Sequence, residues 1–196
     1  KGGSLAAIQI MNLIKSEYGG KFYPIHLKME SVMGFKAYKT ISDIPEIPDL
    51  VVVVLSSKIV PQIFKEIGEK GAKKIILISG GFRELVGDGE NHFTEEINSI
   101  AKQYGMRFIG PNCLGVFSNW YQPENENSAF NIAIWEHIRK DKFSIASQSG
   151  TLSSHIWFSP DDTDLGLSKS LSVGNEANID LVDCLEYYKD DDNTKV

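Results

Sequence analysis

Aliphatic runs alternate with amphipathic helical patterns along the first part of the chain, and this alternation restricts the fold more than any other feature. The runs are DLVVVVL at 49–55, KKIILIS at 73–79 and MRFIG at 106–110. Between them, residues 59–67 and 93–104 place apolar side chains at the spacing of a helix face. Strands that are apolar on both sides indicate a parallel sheet covered on both faces by helices. We therefore predict a doubly wound α/β domain.

The pattern continues on either side of this region. Leu5 to Ile14 follow helical spacing up to Gly19-Gly20, and KFYPIH at 21–26 is a strand candidate. The polar stretch 119–130 shows too little periodicity for a packed element and is interpreted as a linker or an excursion of the chain. A second α/β unit then begins, with a strand, a helix, a strand and a helix. These four elements are predicted from KFSIAS, TLSSHIWF, LSKSLSV and IDLVDCLEYYKD.

Length, charge and cysteine content limit the class of protein. A length of 196 residues fits one domain and part of another. The net charge of −6 provides no general basic surface, which argues against nucleic acid as the main partner. The two cysteines are widely spaced, and their scarcity fits a reducing, cytoplasmic compartment. The run 50–55 is too short to span a bilayer, so we expect no membrane association.

Small, turn-forming residues follow each predicted strand of the first unit. In open α/β sheets, ligands bind where the carboxyl ends of the strands meet helix N-termini. Plain turn chemistry explains any one of these loops, but together they favour a nucleotide-like ligand. No complete G-x-G-x-x-G and no P-loop is present. The loops are Gly2-Gly3-Ser4, His26-Leu27-Lys28, Leu55-Ser56-Ser57, Ser79-Gly80-Gly81-Phe82 and Gly110-Pro111-Asn112-Cys113.

A second candidate site lies in SQSGTL at 147–152, between a strand and a helix. The hydroxyls of Ser147 and Ser149, with the N–H groups of Gly150 and Thr151, predict an anion site. A simple serine N-cap is the alternative. A serine hydrolase is excluded because the pattern G-x-S-x-G is absent.

Other polar residues carry weaker signals. His26 lies beside the first group of loops and is a possible ligand contact, whereas His155 falls on a face expected to pack. His92 and His137 lie in polar surroundings and are expected to be solvated. The acidic run 190–192 has no matching ligand spacing, so no metal site is predicted.

Four segments, taken in order, resemble a known family. They are ISGGFRELVGDG, RFIGPNCLGVF, SIASQSGTL and LSVGNEANIDLVDCLEYYKDD. They are similar to NDP-forming acyl-CoA synthetases, which include the ADP-forming acetyl-CoA synthetases and are relatives of the succinyl-CoA synthetase α subunit. The resemblance implies a Rossmann-like, doubly wound CoA-binding domain at 1–125, with its first strand missing. It also implies the start of a second, flavodoxin-like α/β domain at 140–196.

The resemblance also implies the ligands and the reaction. The family interconverts acyl-CoA, ADP and phosphate with acid, CoA and ATP through a phosphohistidine, and none of the four histidines here matches it. A separate ATP-grasp domain or subunit would bind ATP or ADP with Mg, so this fragment alone should be inactive, and the family implies an oligomer. Phosphate would meet Ser147, Ser149, Gly150 and Thr151. CoA would meet Gly2, Gly3, Ser4, Lys28, Leu55, Ser56, Ser79, Gly80, Gly81, Phe82, Asn112 and Cys113.

Two other functions stay open at this stage. One is a regulatory CoA-sensing module, like the synthetase-like domains fused to protein acetyltransferases. The other is a Rossmann NAD-binding protein. The second is disfavoured because the chain has Lys28, and no acidic residue, where the ribose would need one.

Overall fold

The computed structural model describes residues 4–82, 91–122, 124–125, 127–135, 138–155 and 166–196, leaving aside the side chains of 91–92 and 154–155. The described helices are α1 Leu5–Lys15, α2 Val60–Lys70, α3 Asn91–Tyr104, α4 Gly150–His155 and α5 Leu181–Lys189. The described strands are β1 Ser31–Val32, β2 Phe35–Lys36, β3 Val51–Val53, β4 Lys74–Leu77, β5 Arg107–Ile109, β6 Val116–Ser118, β7 Phe130–Asn131, β8 Lys140–Ser147 and β9 Leu167–Ser172.

The first sheet has the order β3-β4-β5, and all of its strands are parallel. Ile75 and Leu77 pack into one core cluster with α2 and α3, which contribute Phe64 and Ile97. Ile76 packs into a second cluster with Leu13 of α1. The alternation along β4 therefore buries both faces of the sheet, and the predicted doubly wound α/β fold is confirmed.

The strand predicted for KFYPIH is wrong. Within the described residues, its strand-like pairing is a single isolated bridge between Ile25 and Tyr38, outside the three sheets. Pro24, in the middle of the run, has no N–H to donate and only accepts a hydrogen bond from Tyr38 N at 2.9 Å. A proline at this position limits the segment to short, edge-like pairing.

The short hairpin of β1 and β2 was not predicted from the sequence. Its turn residues, Met33 and Gly34, both have positive φ angles, of 50° and 88°. Two consecutive positive φ angles are typical of the tight turns that join antiparallel strands. The sequence signal was weak because methionine is not a common residue at such a position.

The second sheet has the order β7-β6-β9-β8, with β8 and β9 parallel and the other pairs antiparallel. β6 precedes the stretch interpreted as a linker, yet it pairs with β9. The linker interpretation is wrong at both ends of that stretch. Asn119 is fully buried and donates to the carbonyls of Ile138 and Leu167 at 2.9 and 2.7 Å, and Ala129 is fully buried next to β7. Polar side chains that pair with the buried main chain had hidden the periodicity.

Within the described residues, no helix is long and apolar enough to cross a membrane.

Candidate functional site

Three loops meet at the carboxyl end of the parallel sheet. Ser79, two residues after the end of β4, is only 6% exposed, and its hydroxyl accepts a hydrogen bond from the Leu55 main-chain N at 2.9 Å. The Ser79 carbonyl accepts from the Asn112 N, also at 2.9 Å. Ser79 thus fixes the loops that follow β3 and β5 on either side of it, as expected for strand ends that form one site.

The Gly-Pro-Asn-Cys turn bends tightly against β4. Gly110 has a φ of 103°, and a Cβ there would lie 2.2 Å from the Leu77 carbonyl oxygen. The Gly110–Pro111 peptide bond is cis, and Asn112 has a φ of 57°. Only glycine fits at position 110, because any side chain would clash with the main chain of the neighbouring strand.

The exposed surface of this edge includes small groups and the apolar side chain of Leu55. Gly80 is exposed, and a Cβ there would meet Asn112 Oδ1 at 3.4 Å. Ser56 is exposed and precedes the short 3₁₀ turn Ser57–Ile59, while Leu55 is 44% exposed. A ligand at this edge would therefore meet main chain as closely as side chains.

The side chains of Phe82 and Cys113 do not line this edge. Phe82 is fully buried in the core with α2 and α3. Cys113 is 1% exposed, and its Sγ donates to the Leu77 carbonyl at 3.4 Å. Burial raises the pKa of the Cys113 thiol to about 12, which keeps it protonated and unreactive. These two residues can serve a ligand only through their main chain or by packing.

The remaining residues predicted for the first site lie at the start of α1 and after residue 25. Ser4 caps α1, and its hydroxyl accepts from the Ala7 N at 3.3 Å. His26 Nδ1 accepts from the main-chain N of Lys28 and of Met29, at 3.2 and 3.1 Å, so this histidine shapes the loop. The Lys28 side chain is exposed. Gly2 and Gly3 lie outside the described residues.

The SQSG turn has the geometry of a serine-capped helix start. Ser147 Oγ accepts from the Ser149 N at 3.1 Å, and Ser149 Oγ accepts from the Leu152 N at 3.2 Å. α4 begins at Gly150, where a Cβ would lie 2.3 Å from Leu114 Cγ. The turn is thus packed against the segment that follows the Gly-Pro-Asn-Cys turn. The predicted anion role of Ser147, Ser149, Gly150 and Thr151 stays a prediction.

The predictions for three histidines fall outside the described geometry. His137 is outside the described residues, and the side chains of His92 and His155 are outside them as well. Among the described residues, no group of His, Cys, Asp and Glu side chains could hold a metal ion.

The loop 173–179 joins the two candidate sites, which the sequence did not indicate. Its main-chain N–H groups at Asn175 and Ala177 donate to the carbonyls of Pro111 and Gly110, at 2.9 and 3.1 Å. Gly174 has a φ of 59°, and a Cβ there would lie 2.2 Å from the Pro111 carbonyl oxygen. The glycine at position 174 was the available signal, since it permits this close approach.

Glu176 connects the same loop to the SQSG turn. Its Oε1 accepts from the Leu181 N at 2.8 Å, and its Oε2 accepts from Gln148 Nε2. Asn175 Oδ1 accepts from Asn112 Nδ2 at 3.4 Å on the other side of the loop. Loop 173–179 therefore contacts the Gly-Pro-Asn-Cys turn and the SQSG turn at once.

Comparisons with known proteins define the class of this fold and site. Residues 4–119 match the model of the CoA binding domain family. Residues 140–196 match the succinyl-CoA ligase like flavodoxin domain. The chain therefore belongs to the CoA binding domain family, and its second unit matches that flavodoxin domain. The resemblance predicted from the sequence motifs is confirmed.

Particular relatives support the same assignment. The chain is 37% identical over 187 residues to acetate–CoA ligase [ADP-forming] II subunit alpha of Pyrococcus furiosus, covering 95% of this chain and 39% of the relative. It superposes on a crystal structure from Pyrococcus horikoshii OT3 with a TM-score of 0.88 and 35% identity, covering 100% and 43% of the two chains. A dinucleotide forming acetyl-coenzyme A synthetase 1 of Ca. Korarchaeum cryptofilum, in complex with phosphate and ADP, gives a TM-score of 0.84 and 30% identity, covering 99% and 40%. This chain thus spans about two fifths of these relatives.

Proposed function

We propose that this chain is the CoA-binding portion of an NDP-forming acyl-CoA synthetase, an acid–thiol ligase. The whole protein would interconvert acyl-CoA, ADP and phosphate with a small organic acid, CoA and ATP. The observation that supports this most is the carboxyl edge of the parallel sheet, where Ser79 fixes two neighbouring loops. That edge lies within the residues that match the CoA binding domain family. The domain limits 1–125 and 140–196 belong to the same proposal.

The residues proposed to contact CoA, at this edge, at the start of α1 and at Lys28, fit it by their chemistry. CoA carries phosphates at one end and a flexible amide-containing arm at the other. The exposed ammonium of Lys28 and the N-terminus of α1 at Ser4 suit the phosphates. The exposed main chain at Gly80 allows a close approach of the arm, and Leu55 offers apolar surface beside it. Gly2, Gly3, Ser56, Gly81 and Asn112 belong to the proposed contacts as well, and the buried Ser79, Phe82 and Cys113 would contribute through their main chain or by packing.

The second half of the reaction would involve the SQSG turn and parts outside this chain. Ser147, Ser149, Gly150 and Thr151 would hold a phosphate, and the phosphohistidine would come from another part of the protein. An ATP-grasp domain or subunit would bind ATP or ADP with Mg. A relative named as an α subunit and a relative solved with phosphate and ADP support this division of work. By this proposal the fragment alone is inactive, and the whole protein is a cytoplasmic oligomer.

The regulatory alternative is not favoured, because the curated relatives matched over most of the chain are named as ligases. The NAD-binding alternative is disfavoured by the exposed Lys28. Both alternatives remain outcomes of the tests below.

Binding is tested by calorimetric titration of CoA into the full-length protein, with NADH as a parallel ligand. We expect Lys28→Ala to weaken CoA binding by about tenfold or more, because a charge-assisted hydrogen bond to phosphate is lost. Lys102→Ala is the matched control, since Lys102 is an exposed lysine in the last turn of α3, at the opposite edge of the sheet. Equal CoA affinity in the two variants would contradict the proposed phosphate contact.

The reaction is tested by measuring ATP formation from acetyl-CoA, ADP and phosphate with the full-length protein and its ATP-grasp part. The proposal predicts ATP only when all three substrates are present. CoA binding without any ATP formation, across a panel of acyl-CoA substrates, would contradict the synthetase function and favour the regulatory one.

A further inference from the structure

Glu176 has an unusual backbone conformation, and the hydrogen bonds of its side chain give a reason for it. It is a non-glycine residue with a φ of 53°, in the left-handed region that L-residues rarely adopt. Both of its carboxylate oxygens are engaged, one by the Leu181 N and the other by Gln148 Nε2. The loop thus holds an unfavourable backbone angle in a geometry that directs this carboxylate to Gln148.

Gln148 lies in the centre of the SQSG turn, between the two serines proposed to hold phosphate. On the strand side the turn is anchored through its main chain, because the Ser147 carbonyl accepts from the Val173 N at 2.9 Å. On the helix side it is tied by the Ser149 cap of α4. Between these two main-chain contacts, the Gln148 side chain is held by Glu176. Glu176 belongs to the loop that also contacts the Gly-Pro-Asn-Cys turn.

We propose that Glu176 is a positioning residue, which fixes the orientation of the SQSG turn through Gln148. This role rests on the proposed function, because the turn is the proposed phosphate site. Glu176 does not itself touch the reacting atoms. By holding Gln148, it sets the direction of the Ser147 and Ser149 hydroxyls relative to the loop that carries Asn112.

A purely structural role as a cap of α5 is the competing explanation for Glu176. The N-terminus of α5 is already capped without it. Asp183 N donates to Asp180 Oδ1 at 2.9 Å, and Asp180 N donates to Asp183 Oδ2 at 3.2 Å, which is a complete capping box. Asp180 therefore offers a matched control that disturbs the same helix end without touching Gln148.

The test compares Glu176→Ala, Gln148→Ala, the double variant and Asp180→Ala in the full-length protein with its ATP-grasp part. The measurements are kcat for ATP formation, the KM for phosphate, the Kd for CoA and the melting temperature. We expect each single variant to lower kcat/KM for phosphate by about ten- to a hundredfold, as small misplacements of a binding group do. CoA affinity should stay unchanged, and Asp180→Ala should lower the melting temperature while keeping kcat/KM.

Two further results decide whether the residues act through one contact. The double variant should be no worse than either single one, because both remove the same hydrogen bond. Glu176→Gln should retain activity, since an amide can still pair with Gln148. An active wild type with an unaffected Glu176→Ala, or single effects that multiply in the double variant, would overturn the positioning role. A wild type that binds CoA but forms no ATP would overturn the proposed function, and with it this role.

Discussion

At the scale of single residues, the contact between the two candidate sites depends on a glycine, which has no side chain. Gly174 lies with its Cα against the main chain of Pro111 and Asn112, so that a Cβ would come within 2.2 to 2.8 Å of three of their atoms. Its positive φ adds a second reason for glycine at this position. The approach of loop 173–179 to the Gly-Pro-Asn-Cys turn therefore requires a residue without a side chain.

We predict that Gly174→Ala lowers the free energy of unfolding by about 1–3 kcal/mol more than Gly105→Ala does. Gly105 is the matched control because its φ is 63°, close to the 59° of Gly174, and nothing lies within 4 Å of its added Cβ. The difference between the variants therefore reports the clash alone. Chemical denaturation of both variants measures it, and equal losses would show that the close approach does not exist in solution.

The residue types at the candidate site could be predicted from the sequence, but their orientations could not. Clustered small residues after a strand predicted the turn at Gly110, and the structure has it there. That Cys113 points into the core, and that Gln148 pairs with Glu176, depend on partners 28 or more residues away in sequence. Local sequence carries no signal for such contacts, since they are set by how the loops pack.

At the scale of secondary structure elements, prediction succeeded where the pattern had a single physical cause. Helix α2 was predicted from its apolar face, and β4 from its continuous aliphatic run. The prediction failed for short strands at the edge of a sheet. β7 is only two residues long, and the polar sequence around it has no periodicity that would indicate a strand. It is a strand because it pairs with β6.

The second sheet contains a buried ion pair between β9 and the segment after α5. Lys169 Nζ donates to Asp191 Oδ2, and the two side chains are only 8% and 10% exposed. Thr194 Oγ1 donates to the same carboxylate oxygen at 2.6 Å. Burial alone would raise the pKa of Asp191, but the hydrogen bonds from Lys169 and Thr194 outweigh it and hold the pKa below its ordinary value.

We predict that Asp191→Ala lowers the free energy of unfolding by about 3–5 kcal/mol, because it leaves the Lys169 ammonium buried without its carboxylate partner. Asp192→Ala, an exposed acidic neighbour, is the control and should change stability little. Denaturant titration of both variants gives the comparison.

The pH dependence of this effect follows from the direction of the pKa shift. Because the folded-state pKa of Asp191 is lowered, its contribution is full above the unfolded pKa of about 4 and is lost as the pH falls through the folded value. The gap between wild type and Asp191→Ala should therefore narrow below about pH 4. A gap that stays constant down to pH 2 would contradict the ion pair.

At the scale of the whole molecule, one arrangement brings the two candidate sites together. The carboxyl edge of the first sheet carries the proposed CoA contacts, and loop 173–179 joins that edge to the SQSG turn in the second unit. The order of the motifs along the chain was enough to identify the family. The contact between the two units could not be predicted from the sequence, because it depends on main-chain hydrogen bonds between segments some 65 residues apart.

Hydrogen–deuterium exchange of the full-length protein, with and without CoA, tests whether CoA binds at the carboxyl edge of the first sheet. At a CoA concentration about 100 times its Kd, any local opening that requires release of CoA should cost about 2.7 kcal/mol more. This added cost should slow amide exchange there by up to about a hundredfold. We predict that this protection falls on peptides covering residues 55–57, 79–82 and 110–113, and that NADH produces none. Protection by NADH instead of CoA, or CoA protection confined to other parts of the chain, would contradict it.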